Sequence, residues 1–179
     1  MKELSLHILD IAQNSVSAGA NNILIRLKWK AGALDICIED DGRGMEPAFL
    51  KTAADPFSTT RKTRRVGLGL PLFKLAAEQT GGSFDISSRI GAGTNVHARF
   101  IISHIDAPPL GDMAATFVTL IQGSPGINFI LRFEHAGGVF ECSAAEMRAM
   151  LGDVPIDSPE VLSWTGAYIR ENQGNIPTG

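Results

Sequence analysis

Hydrophobic positions along the first forty residues change from a helical to a strand-like period. Over residues 2–18 they recur at three- and four-residue spacing, which predicts a helix with Asp10 and Asn14 on its polar side. Hydrophobic and polar residues then alternate on both sides of a turn at 31–32. This alternation predicts a β-hairpin whose second strand ends near Asp40.

A second helix and a second hairpin follow a polar, basic segment. The pattern predicts a short helix at 46–53, whereas residues 55–66 lack periodicity and predict a loop. The pattern from Leu68 to Gln79 predicts a long helix with a proline in its first turn, where the missing N–H costs little. Two further strands are predicted on either side of a turn at 90–93.

Beyond a proline-containing boundary at 106–109 the pattern starts again. We therefore predict one domain over residues 1–105 and a small α+β extension over residues 106–179. The elements predicted in the extension are a helix at 110–122, strands at 127–133 and 139–142, and helices at 143–151 and 158–171, followed by a loose tail at 172–179.

Composition limits the classes of function. The chain has 179 residues, a formal net charge of -3 and 44% hydrophobic residues, which is ordinary for a globular protein and gives no sign of nucleic-acid binding. No hydrophobic run is long enough for a membrane span and the N-terminus shows no signal-peptide pattern, so we expect a cytoplasmic protein. Cys37 and Cys142 are too isolated to predict a disulfide framework or a zinc cluster.

The first candidate for chemistry lies at the end of the first hairpin. Asp40 follows a hydrophobic strand and precedes a turn that contains Gly42 and Gly44. A carboxylate in this place can accept a hydrogen bond from the exocyclic amino group of adenine, and the glycines allow the backbone to approach a flat ring. The other interpretation is a plain strand-ending β-turn, since Asp-Gly pairs are common there.

Two other features could hold a metal ion and phosphates. The amide oxygen of Asn14 is a ligand type that Mg²⁺ accepts. The turn Gly67-Leu68-Gly69 opens a helix, where free N–H groups and the helix dipole favour phosphate, and Lys62 lies in the basic segment before it. The spacing matches neither the dinucleotide-binding fingerprint nor the P-loop. For each feature alone, a solvated polar surface or an ordinary loop is the other interpretation.

Together these features resemble the sequence boxes of one nucleotide-binding superfamily. They are DIAQNSVSAGA at 10–20, IEDDGRGM at 38–45, DPFSTTRK at 55–62 followed by GLGL at 67–70, and GAGT at 91–94. In this order they resemble the N-box, the first glycine box, the F-box with the second glycine box, and the final glycine turn of the Bergerat-fold (GHKL) ATPases. That superfamily includes gyrase, the heat-shock chaperone, sensor histidine kinases and MutL. The resemblance covers roughly residues 1–103.

The resemblance implies a two-layer α/β sandwich of the histidine kinase-like ATPase type, with ATP and Mg²⁺ held at the helix layer. Residues 55–66 would form the ATP lid. The residues that the resemblance assigns to the nucleotide are Asn14 (through Mg²⁺), Asp40 and Thr94 (near adenine), Gly42 and Gly44 (beneath the base), and Lys62, Gly67, Leu68 and Gly69 (near the phosphates).

Two departures from the family pattern bear on the reaction. Hydrolytic members usually carry Glu four residues before the N-box Asn, whereas this chain has Asp10, whose side chain is one methylene shorter. Asp10 is therefore a candidate catalytic base for weak hydrolysis or none. The phosphoacceptor hairpin of histidine kinases does not precede the N-box, and His7 lies inside the first helix. We therefore expect any phosphoacceptor to be on another protein.

Three functions remain open at this point. The leading hypothesis is an ATP–Mg²⁺-binding, histidine kinase-like regulator that passes phosphate to a separate partner protein. The first alternative is a non-catalytic binding module, similar to an anti-sigma switch, whose affinity for a partner depends on ATP or ADP. The second is a weak ATPase that uses Asp10. The sequence leaves a homodimer open.

Overall fold

The structure, a computed structural model, describes residues 3–55 and 68–177. Pairs of strands alternate with one or two helices along the described part of the chain. In chain order they are α1 (Leu4–Ser17), β1 (Asn22–Lys30), β2 (Ala33–Asp40), α2 (Pro47–Leu50), α3 (Gly69–Gln79), β3 (Ser83–Arg89), β4 (Gly93–Ile101), α4 (Met113–Gly123), β5 (Asn128–His135), β6 (Gly138–Ser143), α5 (Ala144–Leu151) and α6 (Pro159–Gly174).

Six strands form one mixed sheet in the order β3-β4-β2-β1-β5-β6. All neighbouring pairs are antiparallel except β1 and β5, which run parallel. On β1, the alternate residues Ile23, Ile25 and Leu27 are fully buried and join the core that the helices cover. The residues between them, such as Arg26 and Lys28, form ion pairs on the opposite face. This is the predicted two-layer sandwich, and the fold class is confirmed.

Helix α1 lies over the centre of the sheet and supplies the polar side that faces the candidate site. Its hydrophobic side is buried in the core. The helix ends because Gly19, just after the last turn, has a φ of +76°, a conformation that glycine adopts at little cost. His7 is buried on α1 and packs against Phe73 of α3, with ring centroids 6.0 Å apart. This contact fixes α1 against α3.

The C-terminal elements share the sheet and the core with the rest of the molecule. Strand β5 lies beside β1, and β6 continues the sheet outward from β5. Helix α4 packs against both α1 and α6. The division of the chain into two domains near residue 105 stays a prediction. Within the described residues, strands from both sides of this boundary belong to one sheet.

Some predicted elements differ in extent from those in the structure. The short helix predicted at 46–53 is helical only over Pro47–Leu50 and continues as turns. The predicted loose tail at 172–179 is wrong at its start, because α6 continues to Gly174. The side chain of Gln173 explains the extension: it accepts a hydrogen bond from the Met113 N–H at 3.2 Å and donates one to the Gly111 carbonyl at 2.8 Å.

The helix caps agree with the sequence in one case and differ in another. Ser143 caps α5, because its hydroxyl accepts a hydrogen bond from the Glu146 N–H at 3.4 Å. Ser158 occupies the predicted N-cap of α6, but its side chain caps no N–H group. Helix α4 begins at Met113, later than predicted, where the Asp112 carboxylate accepts a hydrogen bond from the Ala115 N–H. No helix in the two described ranges has the length and hydrophobicity that a membrane span requires.

Candidate nucleotide-binding site

A cleft of about 1000 Å³ opens between α1, the loop that follows β2, and the start of α3. Its volume is at the upper end of the range typical of small-molecule sites. The predicted site residues that line it are Asp10, Asn14, Asp40, Gly44, Gly69 and Thr94. The structure therefore brings together residues from all four sequence boxes, with Gly69 representing the second glycine box.

Asp40 is held in place from two sides. It is the last residue of β2, and its Oδ2 accepts a hydrogen bond from the Ser15 hydroxyl at 2.5 Å. Its Oδ1 accepts one from the Gly42 N–H at 2.9 Å. A carboxylate has about four lone-pair positions, so each oxygen keeps acceptor capacity for a ligand. The two bonds therefore orient Asp40 without saturating it.

Ser15 is a site residue that the sequence analysis missed. It lies on α1, is only 4% exposed, and also approaches the Ile11 carbonyl, at 3.4 Å. The available signal was a hydroxyl within the hydrophobic side of a predicted helix. A buried hydroxyl requires a hydrogen-bond partner, but the sequence pattern does not show which distant residue supplies it.

The neighbouring carboxylate, Asp41, has a structural role. It accepts hydrogen bonds from the N–H groups of Asn21 and Asn22 at 2.7 and 2.9 Å, and from the Asn22 side-chain amide at 2.8 Å. These bonds, first of all the one from the Asn22 side chain, lower the pKa of Asp41 below its ordinary value. Asp41 therefore fixes the start of β1 to the end of β2, whereas Asp40 faces the cleft.

The two glycines of the acidic turn are required by close packing of the main chain. Gly44 has a φ of +72°, and a Cβ atom there would overlap the carbonyl oxygen of Arg89. Gly42 is buried, and a Cβ atom there would lie 3.0 Å from the Ala18 carbonyl oxygen. Gly44 lines the cleft, whereas Gly42 lies behind Asp40 and is not part of the lining. Their predicted position beneath a purine ring stays a prediction.

Thr94 joins the other wall of the cleft through Ser88, which the sequence analysis also missed. The Ser88 hydroxyl oxygen accepts a hydrogen bond from the Met45 N–H at 2.9 Å and lies 2.8 Å from the Thr94 hydroxyl. It also donates to the Gly93 carbonyl at 2.9 Å. Since a hydroxyl has one proton, the Thr94 hydroxyl is then the donor to Ser88. This network ties the loop after β2 to the β3–β4 hairpin.

Asp10 and Asn14 present free polar groups at the other end of the cleft. Within the described residues, neither side chain makes a hydrogen bond, and Asp10 is exposed. Gly69, the first residue of α3, lies against Asp10, since a Cβ atom on Gly69 would be 3.1 Å from the Asp10 Cβ. The free N–H groups at the start of α3 therefore lie beside Asp10.

The structure does not place three of the residues assigned to the phosphates in the lining of the cleft. Leu68 precedes α3 and is 56% exposed, and it is not among the residues that line the cleft. Lys62 and Gly67 lie outside the described residues, as does the predicted ATP lid beyond Asp55. Their roles stay predictions.

The polar groups of the cleft suit a nucleotide with bound magnesium. The oriented carboxylate of Asp40 suits an amino group, and the helix start at Gly69 suits an anion. No cluster of three or more histidine, cysteine, aspartate or glutamate side chains suited to a metal ion occurs in the part of the chain that the structure describes. Magnesium would therefore depend on Asn14, phosphate oxygens and water, which is usual for this ion.

Comparison with known proteins agrees with this geometry. Residues 2–104 match the family described as histidine kinase-, DNA gyrase B-, and HSP90-like ATPases. The chain belongs to this family. The predicted family resemblance is thus confirmed, and domains of this family generally bind ATP with Mg²⁺.

Curated relatives include a histidine protein kinase and a sensor protein, both bacterial. The chain is 30% identical over 103 residues to the histidine protein kinase DivJ of Caulobacter vibrioides, an alignment that covers 55% of this chain and 17% of that protein. It is 39% identical over 99 residues to the sensor protein SrrB of Staphylococcus aureus (strain NCTC 8325 / PS 47), which covers 52% of this chain and 17% of that protein. The chain thus spans about a sixth of the length of these relatives.

One solved structure supports the fold over a longer part of the chain. The N-terminal domain of a DNA repair protein aligns with a TM-score of 0.53 and 14% identity. The alignment covers 80% of this chain and 52% of that one, which is more of this chain than residues 2–104 could supply. At this identity the likeness concerns the fold alone.

None of the four histidines lines the cleft of this ATPase-family domain. His7 is buried against Phe73 and is only 5% exposed. His97 lies on the face of the sheet away from the helices, where its Nε2 is 3.4 Å from the Asp35 carboxylate. The described cleft therefore brings none of the chain's own imidazoles to the candidate nucleotide site.

Proposed function

We propose that this histidine kinase-like domain binds ATP–Mg²⁺ in the cleft and transfers the γ-phosphoryl group to a side chain of a separate partner protein. The observation that carries the nucleotide assignment is the Asp40 carboxylate, oriented by Ser15 and Gly42 at the wall of the cleft. Membership of the ATPase family supports the same assignment.

Each described residue has a definite role in this proposal. Asp40 accepts a hydrogen bond from the exocyclic amino group of adenine, and Thr94 lies in the same wall. Asn14 supplies its amide oxygen to Mg²⁺, and the N–H groups at Gly69 face the phosphates. Bound magnesium would neutralise phosphate charge as it develops during transfer. The residues of the chain position the nucleotide, which is the main protein contribution to phosphoryl transfer.

A separate acceptor follows from where the imidazoles lie. The bond between the γ-phosphorus and its bridging oxygen breaks to leave ADP. A new bond forms to a nitrogen or oxygen atom of the partner, whose proton passes to solvent. Because no histidine lines the described cleft and His7 is buried, this atom belongs to another protein in our proposal.

The test is a labelling experiment on captured partners. The full chain is used to capture proteins with and without ATP–Mg²⁺, γ-labelled ATP is added, and phosphorylated sites are mapped. We expect label on a captured protein and none on this chain, and we expect the label to be lost with an Asp40→Asn variant. Label that accumulates on this chain alone, or a partner that is captured but never labelled, would contradict the transfer reaction.

One observation favours a second candidate function, weak ATP hydrolysis. The Asp10 carboxylate lines the cleft without a hydrogen-bond partner among the described residues, and it lies beside the start of α3. It could accept a proton from an attacking water molecule. If Asp10 acts in this way, Asp10→Asn lowers the rate of phosphate release about a hundredfold or more. An unchanged rate would exclude Asp10 as the base.

A further inference from the structure

An exposed aromatic side chain lines the candidate nucleotide cleft. Phe49 of α2 is 42% exposed and belongs to the lining. Every other phenylalanine that the structure describes is buried or half-buried. Single exposed hydrophobic residues are common on protein surfaces, so exposure alone indicates little. Its position in the wall of a nucleotide cleft indicates that a ligand covers it.

Phe49 has no aromatic partner in the described ranges. The two other exposed aromatic side chains of those ranges, Trp164 and Tyr168, stack on each other with ring centroids 5.0 Å apart. Aromatic rings gain from stacked or edge-to-face contacts beyond their hydrophobic area. The exposed part of the Phe49 ring can make such a contact with a flat ligand.

The main chain before Phe49 is fixed to the Asp40 end of the cleft. Met45 donates its N–H to the Ser88 hydroxyl at 2.9 Å, and the Thr94 hydroxyl lies 2.8 Å from that oxygen. Thr94 is directly opposite Asp40 in the pairing of β2 with β4. Helix α2 packs against β3. Because Phe49 follows Met45 by four residues, it lies at the end of the cleft assigned to the base.

Phe49 also presents more surface to the cleft than the other hydrophobic residues of the lining. Ile11, Leu70 and Val96 are each at most 3% exposed, and Met45 is half-buried. Phe49 is the one aromatic residue in the lining that the structure describes. The flat side chain of this wall is therefore at the base end.

We propose that the Phe49 ring stacks on one face of the base of the bound nucleotide. The inference rests on the proposed binding of ATP, but not on phosphoryl transfer. Asp40 accepts a hydrogen bond from the edge of the base, and its two faces stay free for other contacts. Stacking on an aromatic side chain strengthens binding whatever hydrogen-bonding groups the base carries. Phe49 therefore adds affinity for the base, whereas Asp40 determines which base is preferred.

Substitutions of Phe49 distinguish stacking from an ordinary hydrophobic contact. Calorimetric titration of the full chain with ATP–Mg²⁺ should show that Phe49→Ala weakens binding about tenfold. Phe49→Tyr keeps the aromatic ring and should bind within about twofold of the wild type. Phe49→Leu keeps much of the hydrophobic volume but has no flat face, and should weaken binding about fivefold. Circular dichroism checks that the variants fold.

A matched control uses an aromatic residue elsewhere on the surface. Trp164 of α6 is 56% exposed and does not line the cleft. Trp164→Ala should leave the affinity for ATP unchanged. A loss as large as that of Phe49→Ala would assign the effect to the general loss of an exposed ring and would overturn the proposal.

A tryptophan at the same position reports the contact directly. The emission of Phe49→Trp should be quenched by ATP–Mg²⁺ but not by inorganic tripolyphosphate with Mg²⁺, which has no base. The wild type supplies the baseline, since neither of its tryptophans, Trp29 and Trp164, lines the cleft. No quenching by ATP, or equal quenching by tripolyphosphate, would overturn stacking.

The outcomes separate this inference from the proposed function. A wild-type chain that does not bind ATP would overturn both. If the wild type binds ATP and Asp40→Asn weakens that binding, while Phe49→Ala or Phe49→Leu binds as tightly as the wild type, stacking alone is overturned. Failure to label any partner would contradict phosphoryl transfer and leave the role of Phe49 in place.

Discussion

The two ends of the cleft differ in how their polar groups are satisfied. At the Asp40 end, the side chains of Asp40, Ser88 and Thr94 all take part in hydrogen bonds with the protein. At the opposite end, Asp10 and Asn14 make no side-chain hydrogen bond within the described residues. One end is therefore built before a ligand arrives, whereas the other presents groups whose partners are water or a ligand.

This difference suits the two parts of a nucleotide. A purine is rigid and uncharged, and a site that is oriented in advance loses little entropy when it binds such a ring. Phosphates and Mg²⁺ bring their own charge and their own water, so side chains that are free to move can still bind them. In this account the Asp40 end selects the base and the Asp10 end responds to the phosphates.

The largest effect expected concerns the packing that builds the Asp40 end. Gly44→Ala would force a methyl group into the Arg89 carbonyl at a positive φ, and should lower the free energy of unfolding by about 2–4 kcal/mol. Gly91→Ala is a matched control, because Gly91 has a φ of +77° and nothing within 4 Å of an added Cβ. It should cost about 1 kcal/mol. Urea unfolding measures the free energy of unfolding of both variants. Equal decreases would show that the contact with Arg89 does not contribute to stability.

A smaller effect is expected at the opposite end of the cleft. Asn14→Ala should weaken ATP binding about tenfold when Mg²⁺ is present, because it removes one oxygen ligand. With EDTA the variant and the wild type should bind ATP equally. Gln13→Ala, the adjacent residue on α1, serves as control and should change neither value. Calorimetric titration with and without Mg²⁺ gives the comparison, and a loss that is the same in EDTA would remove Asn14 as the metal ligand.

The smallest effect is expected for the residue that orients Asp40. Ser15→Ala removes one of the two hydrogen bonds to the carboxylate and should weaken ATP binding about fivefold, independently of Mg²⁺. Ser17→Ala is the control, because this exposed serine is the last residue of α1 and makes no hydrogen bond to Asp40. If Ser15→Ala leaves the affinity for ATP unchanged, the hydrogen bond from the Gly42 N–H is enough to orient Asp40.

The sequence predicted much of the architecture and several residues of the site. Helical and alternating periods located the main helices and strands, and the acidic turn pointed to Asp40. The contacts of Ser15 and Ser88 were not predictable, since each joins residues far apart in the chain, such as Ser15 and Asp40. Local periodicity shows that a side chain is polar or buried, but it does not show which distant group it meets.

Strand order could not be predicted either, because it also depends on contacts between distant segments. The alternation at 127–133 predicted a strand, yet nothing in that pattern indicated that β5 would lie parallel to β1. The end of α6 was also misjudged, because the hydrogen bonds of Gln173 to Gly111 and Met113 stabilise its last turn from outside. Both features depend on contacts between segments that are distant in sequence.

The most direct test of the account compares the two neighbouring carboxylates of the acidic turn. Asp40 faces the cleft, whereas Asp41 binds the start of β1. Calorimetric titration with ATP–Mg²⁺ should show that Asp40→Asn weakens binding about 100-fold, since two hydrogen bonds to a charged group and the acceptor for adenine are disturbed. Asp41→Asn should lower stability by about 1 kcal/mol and leave the affinity nearly unchanged. Equal affinities for the two variants, or a larger loss with Asp41→Asn, would contradict the assignment of Asp40 to the base.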